Sequence, residues 1–144
     1  MDRISTGNLQ LDEILEGGFP ARSIHMVMGP PGSGKTILVE QLVFARPRGE
    51  RPALYVTTVS EPASKFIAFL QEYSFADPSR IGQQVIYESI APQAAASPER
   101  VHEELLRLIQ EHRPSIVVID SLKALADLQP SLAVWRHVLY ELAG

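Results

Sequence analysis

The chain has no cysteine. That removes disulfide frameworks, thiolate metal sites and cysteine nucleophiles together, and it is compatible with a reducing cytosol. It has no excess of positive charge either: 13 Lys plus Arg against 17 Asp plus Glu leave a net charge of -4. No global positive field is available to hold nucleic acid, so any DNA contact would have to be local. Apolar runs are short throughout, and none approaches the ~18 residues of a membrane span. The opening Met1-Asp2-Arg3-Ile4-Ser5 is not a basic region leading into an apolar one, so a cytoplasmic protein without membrane attachment is expected. Aromatic residues make up only 7%, yet hydrophobic residues reach 45% and charged ones 21%, which is too apolar for wholesale disorder. With 144 residues and no internal repeat, one domain with one core is expected over residues 1–144.

What is present alternates between two periodicities. Asn8 followed by Leu9, Leu11, Ile14 and Leu15 reads as a short capped helix that stops at Gly17-Gly18, after which Phe19-Pro20 turns the chain. Ser23 to Met28 is a short apolar run between Pro20 and a Gly/Pro cluster, and its length predicts a buried strand. Lys35 to Ala45 is apolar nearly all round, the pattern of a helix packed under other elements. Arg46, Arg48 and Arg51 then form a basic loop, read as a solvated connection, with a DNA or subunit contact as the other reading. Residues 53–59 predict a second strand and residues 62–74 an amphipathic helix carrying Phe66, Phe69, Leu70 and Tyr73. Residues 85–87 predict a third strand. Residues 89–98 are small and contain proline, which predicts a surface loop or tether without core. Ser97-Pro98 opens a helix with Val101, Leu105, Leu108 and Ile109 on one face and a Glu103–Arg107 pair on the other. Pro114 ends it. Residues 116–120 form an apolar strand finishing in Asp120, and Leu132, Trp135, Val138, Leu139 and Leu142 mark a last helix. Strands alternating with helices predict an α/β domain with a mostly parallel sheet and flanking helices, because parallel neighbours need crossovers.

Two segments carry chemistry. Gly29-Pro30-Pro31-Gly32-Ser33-Gly34-Lys35-Thr36 fits G-x-x-x-x-G-K-[ST] and lies between an expected strand and an expected helix. Gly32 and Gly34 let the backbone curl so that N–H groups from Gly32 to Thr36 face phosphate oxygens, and the helix start adds its positive end. Pro30 and Pro31 precede that run, so their missing N–H groups cost nothing. Lys35 would reach the β and γ phosphates, and the Thr36 hydroxyl would ligate Mg²⁺. Asp120, a carboxylate at the C-terminal end of a buried strand, lies where open α/β sheets bind ligands. It either holds Mg²⁺ through water opposite Thr36 or caps the next helix. The four histidines show no metal spacing, and Trp135 reads as core.

Thr6-Gly7, Leu11-Asp12 to Gly17-Gly18, the loop at 29–36 and Val117-Val118-Ile119-Asp120-Ser121 together resemble the RecA-like P-loop ATPases, most closely the KaiC and archaeal recombinase-paralogue branch. The loop and Asp120 are common to P-loop NTPases, whereas Thr6-Gly7, Gly17-Gly18 and Asp120-Ser121 narrow the choice. The resemblance implies ATP or ADP with Mg²⁺, a ring or filament of identical subunits, and nucleotide at the subunit interface. It also exposes two departures. The branch carries adjacent glutamates after the second strand, one of which activates water; the aligned positions here are Val59 and Ser60. Glu61 follows, and it either swings in as the general base or charges the first turn of its helix favourably. In the RecA fold the strand after the last helix inserts between the strands carrying Lys35 and Asp120. The chain is therefore expected to be the N-terminal part of such a domain, lacking its C-terminal strands. The function expected is Mg²⁺-dependent ATP binding, with hydrolysis undecided, acting as a nucleotide-driven assembly or signalling switch. The alternative is an accessory recombinase-type ATPase acting on DNA.

Overall fold

The computed structural model describes residues 1–58 and 63–123. Its centre is a three-stranded parallel sheet of β3 (Ala53–Thr57), β4 (Val85–Ser89) and β5 (Ile116–Asp120), in the order β4-β3-β5. The register sets Tyr55 opposite Tyr87 on one side and Val118 on the other, and Thr57 opposite Asp120. β3 is covered on both faces, which is why it reads as an unbroken apolar run. Ala53 and Tyr55 face α2 (Lys35–Phe44) and α3 (Ala63–Leu70), packing with Val43, Phe44, Leu70, Val85 and Val118. Leu54 and Val56 face α4 (Ala91–Ala96) and α5 (Pro98–His112), packing with Ile90, Ala94, Val101, Leu105 and Leu108.

The N-terminal segment docks on the end of α2. β1 (Arg3–Ile4) pairs antiparallel with β2 (Phe19–Pro20), so Phe19-Pro20 closes a small ladder as well as turning the chain. Between them α1 (Leu9–Ile14) is capped by Asn8, whose side chain accepts from the Leu11 N–H at 3.1 Å. The turn after it needs positive φ at Glu16, Gly17 and Gly18. At Gly18 a Cβ would stand 2.1 Å from the Ile4 carbonyl oxygen, so only glycine fits against β1. Thr6 is fully buried and donates to Asp12 Oδ1 at 2.6 Å, while the Gln41 side chain donates to the Gly7 carbonyl at 3.0 Å. The hydroxyls of Ser5 and Thr6 hold the Asp12 carboxyl below the usual carboxylate range.

Four expectations need correction. Residues 24–28 form no strand; Ile24, Met26 and Met28 are 52%, 65% and 81% exposed. A strand exists only through a partner, and among the described residues β5 pairs with β3 alone while nothing pairs with 24–28. Residues 89–98 are not a coreless loop: alanines, strong helix formers, build α4 there, with Pro92 in its first turn, and Ile90 and Ala94 enter the core. Arg107 pairs with Glu104 at 2.7 Å and Glu111 at 2.6 Å, whereas Glu103 faces Arg100. Arg46 is buried, not solvated, with its guanidinium donating to the Ser5 carbonyl at 2.6 Å. The Ser97 cap of α5 and its apolar face are as expected. Val59, Ser60, Glu61 and the helix expected after Pro130 lie outside the described residues.

Candidate functional site

The loop at 29–36 leads directly into α2, whose N-cap is Gly34 at φ 92°. A glycine has no side chain to cap with, so the first N–H groups of α2 are left to another acceptor. Gly32 and Gly34 both have positive φ, and a Cβ on either would meet nothing within 4 Å, which leaves an open cradle of backbone. The turn is closed by the Ser33 N–H donating to the Pro30 carbonyl at 3.2 Å. Gly29, Pro30, Pro31, Gly32 and Ser33 are exposed, while Gly34, Lys35 and Thr36 are half-buried. Lys35 folds back over the loop, its Nζ donating to the Gly29 and Pro30 carbonyls at 2.6 and 2.9 Å. One ammonium and the uncapped first N–H groups of α2 thus belong to one short segment, a donor set suited to an anion.

The fold brings Asp120 to the same place. Thr36 Oγ1 donates to Asp120 Oδ2 at 3.0 Å across 84 positions of sequence. The pair consists of hard oxygen donors, half-buried at the end of the Gly-rich loop, and so fits a magnesium ion held partly through water. Of the residues singled out from sequence, the structure brings Thr36 and Asp120 together, with the Lys35 ammonium held on the loop carbonyls; Glu61 lies outside the described residues. Among the described residues no group of His, Cys, Asp and Glu is arranged to hold a metal by itself.

Behind this pair lies a polar network that sequence reasoning missed. Tyr55 is fully buried, and its hydroxyl donates to Asp120 Oδ2 at 2.6 Å. Glu40, one turn along α2 from Thr36, is also fully buried and accepts from the Tyr87 hydroxyl at 2.6 Å through Oε2, while its Oε1 has no hydrogen-bond partner among the described residues. Burial pushes the Glu40 carboxyl up to about 7, with the Asp120 charge adding to the rise and the Tyr87 hydrogen bond opposing it. Burial, then Asp120, push the Tyr55 phenol above its ordinary range; burial and Glu40 do the same for Tyr87, so both remain donors. Thr58 clamps the end of β5: its N–H donates to the Asp120 carbonyl at 3.0 Å and its Oγ1 accepts from the Ser121 N–H at 3.1 Å. The available signal was a lone glutamate inside the apolar run of α2. Nothing local in the sequence pairs it with a tyrosine 47 positions away.

In the basic loop Arg51 is exposed, and the other two arginines are engaged. Arg46 is buried against the N-terminal segment, and Arg48 pairs with Asp77 at 2.7 Å. Among the described residues no helix is long and apolar enough to cross a membrane.

Comparison with known proteins identifies the family. The family described as ATPase: KaiC matches residues 4–144. A UPF0273 protein of Thermotoga maritima is 29% identical over 97% of this chain and 63% of its own length. A UPF0273 protein of Pyrococcus horikoshii is 27% identical over 97% of the chain and 62% of its own. The circadian clock oscillator protein KaiC of Rippkaea orientalis is 36% identical over 86% of the chain and 24% of its own. The chain thus spans under two thirds of the length of these relatives. With the fold, an α/β domain of RecA type, and a match running over nearly every residue, the chain belongs to the KaiC family of nucleotide-binding ATPases.

Proposed function

We propose that this chain binds ATP and ADP with Mg²⁺ at the loop of residues 29–36, and that nucleotide occupancy switches assembly or partner choice while turnover is slow. The observation that carries the reading is the meeting of Thr36 and Asp120 at 3.0 Å at the uncapped start of α2. The N–H groups of the loop that stay outside its own turn, with those of the first turn of α2, bind the phosphate oxygens, and Lys35 bears on the β and γ phosphates. Thr36 and Asp120 hold the cation. Bound Mg²⁺ neutralises charge on the phosphates. The switch role is supported by what stands after β3: Val59 and Ser60 cannot polarise water, which leaves Glu61 as the one carboxylate near enough in sequence to serve. Occupancy can bias assembly without turnover, since any ligand that prefers one state stabilises it. A homo-oligomer, which the resemblance to the RecA-like ATPases implies, is the form of that assembly.

The experiment is a calorimetric titration with ATP and Mg²⁺ on the wild type and on Lys35→Ala. Losing the charge facing the phosphates removes most of the binding, roughly tenfold or more in affinity; equal affinity in the two proteins refutes the reading. Single-turnover hydrolysis then separates switch from enzyme. A rise with Ser60→Glu and no change with Glu61→Gln marks the switch, and a brisk rate abolished by Glu61→Gln marks Glu61 as the general base.

A further inference from the structure

The hydroxyl of Tyr55 needs a reason. The ring belongs to the core between the sheet and α2–α3, with the Tyr87 and Phe66 rings at centroid distances of 5.3 and 5.6 Å. Phenylalanine would fill that space, and a buried hydroxyl costs free energy unless it is hydrogen-bonded. The sheet register supplies the partner. Tyr55 stands opposite Val118, and Asp120 lies two positions further along β5, hence on the same face of the sheet. The phenol reaches along that face and donates to Asp120 Oδ2, the same oxygen that accepts from Thr36 Oγ1. Among the described residues Oδ1 accepts no hydrogen bond.

We propose that Tyr55 is a positioning residue for the metal-facing carboxylate: with Thr36 it ties down one oxygen of Asp120 and so presents the other to the cation. The inference rests on the reading of Thr36 and Asp120 as the Mg²⁺ pair. Two donors on one oxygen fix the rotation of the carboxyl group, which a single donor on an otherwise free strand-end side chain would not. Hydrogen-bonding partners of metal-binding carboxylates commonly contribute about 10- to 100-fold to metal affinity. The effect belongs to the cation, not to the nucleotide, because the hydrogen bond of the Tyr55 hydroxyl goes to Asp120 and to no group of the Gly-rich loop.

The test is calorimetric titration with a non-hydrolysable ATP analogue, with Mg²⁺ and again in EDTA. In the wild type Mg²⁺ tightens binding. In Tyr55→Phe that gain falls roughly tenfold while affinity in EDTA stays the same. Tyr87→Phe, which removes a hydroxyl that bonds Glu40 and not Asp120, keeps the gain. A full Mg²⁺ gain in folded Tyr55→Phe overturns the inference and leaves the hydroxyl a structural group. A wild type that does not bind the analogue overturns the nucleotide reading itself; one that binds it equally with and without Mg²⁺ overturns the Mg²⁺ pair and the positioning role with it; and a wild type that shows the gain while Tyr55→Phe keeps it overturns the positioning role alone. Should Tyr55→Phe not fold, the wild type decides. The Tyr55 hydroxyl proton, identified by nuclear Overhauser contact with its own ring, shifts on adding analogue with Mg²⁺ but not with EDTA, and an unmoved resonance in both overturns the inference.

Discussion

Glu40 is the residue at which burial and charge conflict most sharply. Among the described residues it has no exposure, one hydrogen bond and one orphaned oxygen, and its carboxyl is pushed up to about 7. The folded protein therefore holds the Glu40 proton more tightly than the unfolded chain, whose glutamate titrates near 4.5. Stability from this group is fully present below the unfolded value and is lost as pH rises through the folded one, a difference of about 3 kcal/mol. Glu40→Gln, neutral at every pH and still able to accept from Tyr87, abolishes that slope. Chemical denaturation of both proteins will show the variant gaining about 3 kcal/mol on the wild type between pH 4.5 and about pH 8; parallel pH profiles would mean that Glu40 stays ionised. Gly18 is the second residue with no latitude. Gly18→Ala drives a Cβ into the Ile4 carbonyl and forces an L side chain to positive φ, so it is expected to cost at least about 2 kcal/mol in urea unfolding.

At the scale of elements, α5 is the part whose sequence and structure agree most closely. Ser97 accepts from the Arg100 N–H at 3.2 Å, Pro98 occupies the first turn, and Val101, Leu105 and Leu108 face the sheet. Ser97→Ala removes the cap and lowers stability by about 1 kcal/mol, measured as a lower midpoint at unchanged denaturant slope. The preceding helix shows the opposite relation. Small residues between two prolines carry the composition of a linker, yet Ile90 and Ala94 sit on the hydrophobic face of α5 and order the whole segment. Packing overrode composition there, because alanine adopts helix at little entropic cost once a neighbour supplies a surface.

For the whole molecule, the notable asymmetry lies between β3, covered on both faces, and the segment of residues 24–28, where Ile24, Met26 and Met28 stand in solvent. Exposed apolar segments of this kind promote association. Ile24→Lys with Met26→Lys is expected to reduce self-association in light scattering without lowering the unfolding midpoint, since neither side chain is buried in the core. Unchanged scattering would show that the segment is not what brings copies together.

The loop at 29–36 and the apolar strand ending in Asp120 were legible because their chemistry is local. Glycines at set spacing, a lysine, a hydroxyl and a strand-end carboxylate each announce their role within a few residues, and so do the caps at Asn8 and Ser97. The periodicities of residues 53–57, 101–109 and 116–120 likewise identified strands and a helix, because burial on two faces or on one leaves its period in the chain. What tertiary structure alone decided involves partners far apart in sequence. Whether residues 24–28 become a strand depends on a neighbouring ladder, and whether Arg46 meets solvent depends on the Ser5 carbonyl lying beside it. Likewise, that Tyr55, Asp120 and Thr36 share one oxygen depends on the register between β3 and β5 and on the seat of α2 against them. Hydrogen bonds between buried groups are set by three-dimensional proximity, and a one-residue slip of either strand would turn Tyr55 and Asp120 to opposite faces.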